Sequence, residues 1–198
     1  MPTPALSLGA LEEKGWFFNQ EGLDSLIEQV ETDDTTLEQV IDLAKDTDLR
    51  ELTEKGFRKG DLTKLSQLPS PLVLQVLQIQ NIAVPSIQHV EKPRLLRVVF
   101  TDGSSKKKWI GAEILGKVES ISLHTPPGTK FLLTKPIEIR EQLLILGPGM
   151  LTCLGGQVQE MIQAWKAGKQ FIKRTKGNQT TSEEDLPPPF IPFKIKAS

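Results

Sequence analysis

Apolar residues recur at helical spacing in the first third of the chain. Two sets repeat the i, i+3, i+4, i+7 pattern of an amphipathic helix: Leu23, Leu26, Ile27 and Val30, then Leu37, Val40, Ile41 and Ala44. Thr35, with Glu38 three residues later, predicts the start of the second helix, because this pair can cap the free amides of a first turn. A third helix is expected to begin near Asp48. The pattern predicts a small three-helix domain with the bulky Trp16 in its core.

From Leu72 onward the apolar spacing becomes alternating, which is typical of strands. Alternation over residues 95–101 ends at the turn dipeptide Asp102-Gly103. The run that starts at Leu72 changes phase at Leu77, as a β-bulge in a curled sheet would require. Five strands are predicted, at residues 72–82, 95–101, 109–114, 129–133 and 137–146. A closing helix is predicted from the stripe Val158, Met161, Ile162 and Trp165.

The chain is therefore expected to be an α+β protein. Residues 1–66 form the three-helix domain, and residues 67–176 form a five-stranded β-barrel of the oligonucleotide/oligosaccharide-binding (OB) type with a C-terminal helix. The polar and proline-rich residues 177–198 are expected to form an extended tail, because they contain Pro187-Pro188-Pro189.

An insert separates the first two predicted strands. Residues 83–94 number far more than the about two to five that a plain hairpin needs. They contain the apolar Val84, Ile87 and Val90, while Pro85 and Pro93 disfavour a helix or a central strand. Long inserts on small β domains are often functional, and apolar residues on such a segment indicate a binding partner. A simple surface excursion is the alternative.

Charge divides the chain into two parts, although the formal net charge is only -1. Residues 1–66 hold 15 acidic and 7 basic side chains, whereas the remainder holds 10 acidic and 17 basic ones. The basic part could contact phosphates or an acidic protein surface. Cys153 is the single cysteine, which excludes a disulfide within the chain and indicates an intracellular protein. No secretory leader or membrane span is predicted.

Few residues suit catalysis or metal binding. His89 and His124 are far apart, and no Cys-x-x-Cys or His-Glu-x-x-His motif occurs. The glycines of Gly147-Pro148-Gly149 lack the lysine and hydroxyl residue of a phosphate-binding loop. Cys153 is interpreted as a small buried apolar residue. We therefore predict no catalytic residue, no metal site, no cofactor and no enzymatic activity.

Two kinds of partner remain possible from the residues alone. A barrel of this type can hold single-stranded nucleic acid on aromatic rings and basic side chains, for which the candidates are Lys106, Lys107, Lys108, Trp109 and Phe131. Alternatively, Leu143 and its neighbours up to Leu146 are apolar at both parities, so Leu143 and Ile145 could face outward against a protein. The terminal helix or the tail could also cover them.

Several motifs in this order resemble those of one known family. They are Asp46-Thr47-Asp48-Leu49-Arg50, Leu95-Leu96-Arg97 with Thr101-Asp102-Gly103, the string from Ile121 to Lys130 around Thr125-Pro126-Pro127-Gly128, Leu154-Gly155-Gly156 leading to Trp165, and Pro187-Pro188-Pro189-Phe190-Ile191-Pro192-Phe193. Over nearly its whole length, the chain resembles the N-terminal region of the Tudor-domain branch of the RecQ-mediated genome instability scaffold family.

This resemblance implies a helical domain and an OB-fold whose insert docks onto a type IA topoisomerase, topoisomerase III-beta. It implies a non-catalytic accessory subunit that is a monomer within a heterodimer, acts in the cytoplasm and nucleus, and modulates its partner on DNA or RNA. The implied contacts are Val84, Pro85, Ile87, His89, Val90 and Pro93 in the insert, with Ala112 and Leu143 on the barrel. It also implies Tudor and ubiquitin-binding domains downstream in a longer protein.

Overall fold

The protein is represented by a computed structural model that describes residues 6–30, 35–57, 65–84, 93–104 and 108–177, with side chains up to residue 169. The chain divides into two units, Met1–Trp165 and Lys166–Ser198. Residues 85–92 of the insert, Lys106, Lys107 and the predicted tail from residue 178 lie outside the described residues.

Four short helices occupy the described part of the N-terminal region, one more than the sequence predicts. They are α1 (Leu8–Glu13), α2 (Gln20–Glu28), α3 (Leu37–Asp46) and α4 (Leu49–Leu52). Helix α3 begins with a capping box, but Thr36 and Gln39 form it rather than the predicted Thr35 and Glu38. Asp48 caps α4, as its position in the sequence indicated. Trp16 is buried among these helices, as predicted.

Eight strands form the sheet within the described residues, so the prediction of five is wrong in detail. They are β1 (Gln67–Leu68), β2 (Leu72–Asn81), β3 (Leu96–Thr101), β4 (Trp109–Ala112), β5 (Lys130–Leu133), β6 (Ile137–Arg140), β7 (Leu143–Ile145) and β8 (Leu151–Gly155). The single strand predicted over residues 137–146 is two strands, because Glu141 and Gln142 both have positive φ and form a tight turn. The other two additions are β1 and β8, which end the strand order.

The strands form one mixed sheet in the order β1-β6-β7-β4-β3-β2-β5-β8. The only parallel pair among the described strands is β4 with β7. The predicted irregularity in the long strand β2 is confirmed, because its register with β3 shifts between Val76 and Gln78. Leu74, Phe100 and Phe131 lie in the core that this curled sheet encloses.

Strand β2 contributes to two hydrophobic cores. Leu72 and Leu74 point into the core of the sheet, whereas Val73 packs with the core of the N-terminal helices. Alternate residues of a strand face opposite sides, so the helices cover the outer face of β2 here. The predicted boundary between residues 66 and 67 is therefore the point where helices give way to strands within one unit.

Two buried polar side chains of the sheet fasten the segment between α3 and α4. Gln75 on β2 accepts a hydrogen bond from the Leu49 amide and donates one to Asp48, both at 2.9 Å. Lys130 on β5 donates from Nζ to the carbonyl oxygens of Thr47 at 2.6 Å and Gly128 at 3.0 Å. Burial costs these groups their hydration, and the hydrogen bonds compensate for it.

Burial and neighbouring charges act in opposite directions on the two ionisable groups of this attachment. Burial raises the pKa of Asp48, but hydrogen bonds from Arg50 and Gln75 outweigh it and hold the pKa below its ordinary value. Burial lowers the pKa of Lys130 to about 8, although Asp48 and two nearby carboxylates favour its charged form.

The last helix, α5 (Gln159–Gly177), follows β8, and Val158 and Ile162 at its start are buried.

Candidate docking surface at the base of the insert

The two ends of the insert are joined by the side chain of Asn81, the last residue of β2. Its Oδ1 accepts from the amides of Ala83 and Leu95, each at 3.1 Å, and its Nδ2 donates to the Pro93 carbonyl oxygen at 2.8 Å. The Ile82 amide also donates to the Leu95 carbonyl oxygen at 2.9 Å. The insert therefore leaves and re-enters the sheet at a fixed point, where β2 and β3 meet.

Arg94, the last residue of the insert, forms a two-pronged ion pair with Glu113. Arg94 Nε lies 3.0 Å from Glu113 Oε2, and Nη2 lies 2.5 Å from Oε1. Nη2 also donates to the carbonyl oxygens of Ile121 at 2.9 Å and Val118 at 3.3 Å. Charge-assisted pairs with this forked geometry are strong and directional.

Glu113 completes the arrangement by accepting backbone hydrogen bonds. Its Oε2 receives the Leu96 amide at 3.1 Å, and its Oε1 receives the Val118 amide at 2.9 Å. The Glu113 side chain is almost fully buried, whereas that of Arg94 is partly exposed. One carboxylate thus connects the insert, the start of β3 and the segment after β4.

Three large apolar side chains are exposed beside these bonds: Ile82 at 49%, Ile114 at 51% and Leu115 at 57%. Ile82 follows β2, and the other two follow β4. Backbone bonds from Ile82 to Leu95 and from Glu113 to Leu96 show that both chain segments border the start of β3. We call Ile82, Ile114 and Leu115 the apolar rim. Together with the ends of the insert, it forms the candidate docking surface.

The outer face of the neighbouring strands is also apolar. The register places Ile110 beside Leu143 and Ala112 beside Ile145 on adjacent strands. Leu144 and Leu146 point into the core, so Leu143 and Ile145 lie on the opposite face, as predicted. Leu143 is half-buried, but Ala112 and Ile145 are buried. Leu143 therefore offers apolar area for a partner, whereas the side chain of Ala112 does not.

The structure describes two of the six predicted contacts in the insert. Val84 is half-buried and Pro93 is exposed, at the start and near the end of the insert. Pro85, Ile87, His89 and Val90 lie outside the described residues, so their role stays a prediction.

The aromatic residues predicted to stack on nucleic-acid bases are not available for it. Trp109 is 1% exposed and Phe131 is 0% exposed, and both belong to the core of the sheet. Trp109 packs against Phe57 with ring centroids 5.9 Å apart, and Phe131 against Phe100 at 6.4 Å. The prediction that these two rings bind bases is wrong. Lys108 is exposed, whereas Lys106 and Lys107 lie outside the described residues.

Cys153 is exposed on β8, contrary to the prediction that it is buried. Strand β8 lies at one end of the strand order, which explains this exposure. Within the described residues, no group of three or more His, Cys, Asp or Glu side chains is placed to hold a metal ion. No helix in the same part of the chain is long and apolar enough to span a membrane.

Sequence reasoning missed the residues that organise the docking surface: Asn81, Arg94, Glu113 and the apolar rim. Glu113 did carry a recognisable signal, because an acidic residue stands at the end of an apolar strand and directly before Ile114 and Leu115. A charged side chain in such surroundings needs a partner when it is buried. The identity of that partner follows only from the folded chain.

Comparison with known proteins identifies relatives of this chain. Residues 88–169 match the family described as RMI1, N-terminal OB-fold domain. The chain is 35% identical over 192 residues to Tudor domain-containing protein 3 of Danio rerio, which covers 94% of this chain and 25% of the relative. It is 37% identical over 155 residues to the protein of the same name from Xenopus tropicalis, covering 76% of this chain and 21% of that one.

A more distant relative is RecQ-mediated genome instability protein 1 of Arabidopsis thaliana, which is 31% identical over 105 residues. That match covers 50% of this chain and 16% of the plant protein. The chain thus spans about a quarter or less of the length of these relatives. The resemblance inferred from the motifs is confirmed.

Proposed function

We propose that this chain, which is homologous to Tudor domain-containing protein 3 and carries an RMI1-type OB-fold domain, is a non-catalytic accessory subunit. It binds a type IA topoisomerase, topoisomerase III-beta, and modulates the action of that enzyme on DNA or RNA in the cytoplasm and nucleus. The supporting observation is the apolar rim, of which Ile82 and Ile114 flank the start of β3 beside the ends of the insert, while Leu115 borders Leu146.

The apolar rim can supply much of the binding free energy. Burying one large aliphatic side chain contributes about 1.5–3 kcal/mol. Ordering a flexible segment costs about 1–2 kcal/mol per residue in backbone entropy. An insert whose ends are already fixed, and whose rim is already exposed, needs less ordering when a partner covers it.

Charged substitutions on the apolar rim test this function. We expect the double variant Ile114→Asp/Leu115→Asp to bind purified topoisomerase III-beta at least about tenfold more weakly than the unmodified chain. The reason is that two apolar side chains that the partner would cover become charged. The double variant Thr152→Asp/Cys153→Asp is the matched control, since it adds the same two charges at exposed positions on β8. Circular dichroism confirms that each variant is folded. Equal affinity of the rim variant and the control would reject the docking surface.

The insert requires a separate test. A triple variant with aspartate at Val84, Ile87 and Val90 is expected to lose binding as well, because a partner would then have to bury three charges. Retained binding by this folded variant, combined with lost binding by the rim variant, would confine the interface to the rim.

The alternative function is a single-strand nucleic-acid module. Burial of Trp109 and Phe131 removes its stacking residues, so it would have to rely on lysines such as Lys108. Such binding would weaken steeply with salt. Fluorescence anisotropy with labelled DNA and RNA oligonucleotides distinguishes the two functions. Salt-sensitive binding by the chain, without any binding to the topoisomerase, would favour the alternative.

A further inference from the structure

We infer that Arg94, Glu113 and Asn81 are positioning residues that fix the two ends of the insert beside the surface a partner recognises. We call these three side chains the basal clamp. The inference rests on the proposed docking function and adds its mechanism: the clamp raises affinity by holding the two ends of the insert in place before binding, although its own side chains need not touch the partner.

The number and direction of the bonds carry this inference. Arg94 is the last residue of the insert, and four of its hydrogen bonds reach four oxygen atoms of three residues after β4: Glu113, Val118 and Ile121. Both oxygens of Glu113 accept from Arg94 and from one backbone amide each. The end of the insert is therefore bonded both to the Glu113 carboxylate and to backbone carbonyl oxygens of the segment after β4.

Asn81 holds the other side of the insert base. It bonds to Ala83 at the start of the insert, to Pro93 near its end and to Leu95 just after it. A single side chain that bridges both ends of a segment fixes the distance between them. Fixed ends exclude many conformations of the intervening residues, and this reduces the entropy that binding must remove.

The same arrangement is poorly explained by stability alone. A buried ion pair is often no more stabilising than well-packed apolar residues of similar volume, whereas its directional bonds select one conformation. Arg94 and Glu113 lie where two segments leave the sheet, and three exposed apolar side chains border them. Bonds that select one conformation matter more here than in the core, because two segments leave the sheet at this point.

Arg94→Lys and Asn81→Ala are the variants that test the basal clamp. Arg94→Lys keeps the positive charge beside Glu113 but loses the fork that reaches both the carboxylate and two carbonyl oxygens. Asn81→Ala removes the bridge between the insert ends at a position that is only half-buried. For each variant we expect affinity for purified topoisomerase III-beta to fall by about tenfold through the added ordering cost.

Hydrogen–deuterium exchange provides a readout that needs no partner. The amides that donate to the clamp, those of Ala83, Leu95, Leu96 and Val118, are expected to exchange faster in the variants than in the unmodified chain, while those of β5 exchange at unchanged rates. This measurement separates the two claims, because failure of the unmodified chain to bind the topoisomerase would reject the proposed function and leave the exchange result to decide the clamp.

A variant of matched stability excludes a general loss of structure. Val98→Ala makes a cavity in the core of the sheet without removing any hydrogen-bonding group of the clamp, and lowers the free energy of unfolding. Its affinity for the topoisomerase is expected to remain that of the unmodified chain. The inference is overturned if the two clamp variants keep both the unmodified affinity and the unmodified exchange rates, or if Val98→Ala weakens binding as much as they do.

Discussion

Lys130 Nζ lies 2.6 Å from the carbonyl oxygen of Thr47, so a buried amine on the sheet holds the backbone that connects two helices. This bond joins residues 83 positions apart in the sequence. Its chemistry makes the attachment of the helices dependent on protonation.

The first prediction concerns pH. The pKa of Lys130 is lowered to about 8 in the folded chain, from an ordinary value of 10.5. Between these values the unfolded chain binds more protons than the folded one, so Lys130 makes the free energy of unfolding rise with pH, by about 3 kcal/mol in total. Urea titrations from pH 7.5 to 10.5 on the unmodified chain and Lys130→Met measure this. The free energy of unfolding of the unmodified chain minus that of Lys130→Met is expected to increase with pH. A constant difference would contradict the prediction.

The second prediction concerns Gln75. Gln75→Leu removes the acceptor for the Leu49 amide, which leaves that buried amide unpaired, and takes one hydrogen bond from Asp48. We expect a loss of about 1–3 kcal/mol in the free energy of unfolding. Gln78→Leu on the same strand is the control, because Gln78 is exposed. Equal denaturation midpoints for the two variants would show that the Gln75 bonds add nothing.

The third prediction concerns Asp102, a buried carboxylate in the turn after β3. Burial raises its pKa, and this exceeds the lowering caused by hydrogen bonds from the Ser104 amide and the Trp109 indole. The folded chain then binds more protons than the unfolded one just above pH 4, so Asp102 makes stability decrease as the pH rises. Asp102→Asn removes this titration. The variant is expected to have a higher thermal midpoint at pH 7 than the unmodified chain, with the gap closing toward pH 4.

The fourth prediction compares two adjacent glycines. Gly155 and Gly156 both have positive φ, at 82° and 91°. A Cβ at Gly156 would lie 2.0 Å from the carbonyl oxygen of Lys45, whereas a Cβ at Gly155 would meet nothing within 4 Å. Gly155→Ala is expected to cost about 1 kcal/mol from backbone strain alone, and Gly156→Ala at least about 2 kcal/mol more. Chemical denaturation of both variants tests this. Similar losses in the free energy of unfolding would show that α3 moves away from the added Cβ at little cost.

Periodicity was sufficient to predict the elements whose burial follows a simple repeat. Helices α2 and α3, the long irregular strand β2 and its pairing with β3 follow from spacing alone, because each buries one continuous face. The turn at Glu141 and Gln142 was missed, since neither residue is typical of positive φ. Helix α1 has only six residues, too few to show a repeat.

The candidate site was less predictable, because it depends on contacts between distant segments. Trp109 follows a run of lysines, yet its pairing with Phe100 turns the ring into the core. Arg94 and Glu113 belong to different segments and become partners only when β3 and β4 pair. The position and length of the insert could be predicted from the sequence, whereas the side chains that fix its ends could not.

The division of β2 between two cores constrains how this region can be cut and recombined. A fragment beginning at residue 67 would expose Val73 to water, and it would leave Gln75 without the Leu49 amide and Lys130 without the Thr47 carbonyl oxygen. Such a fragment would expose an apolar face that the helices cover in the intact chain, and we expect it to aggregate. In gene fusions and in recombinant expression, the helices and the strands must therefore be transferred as one piece.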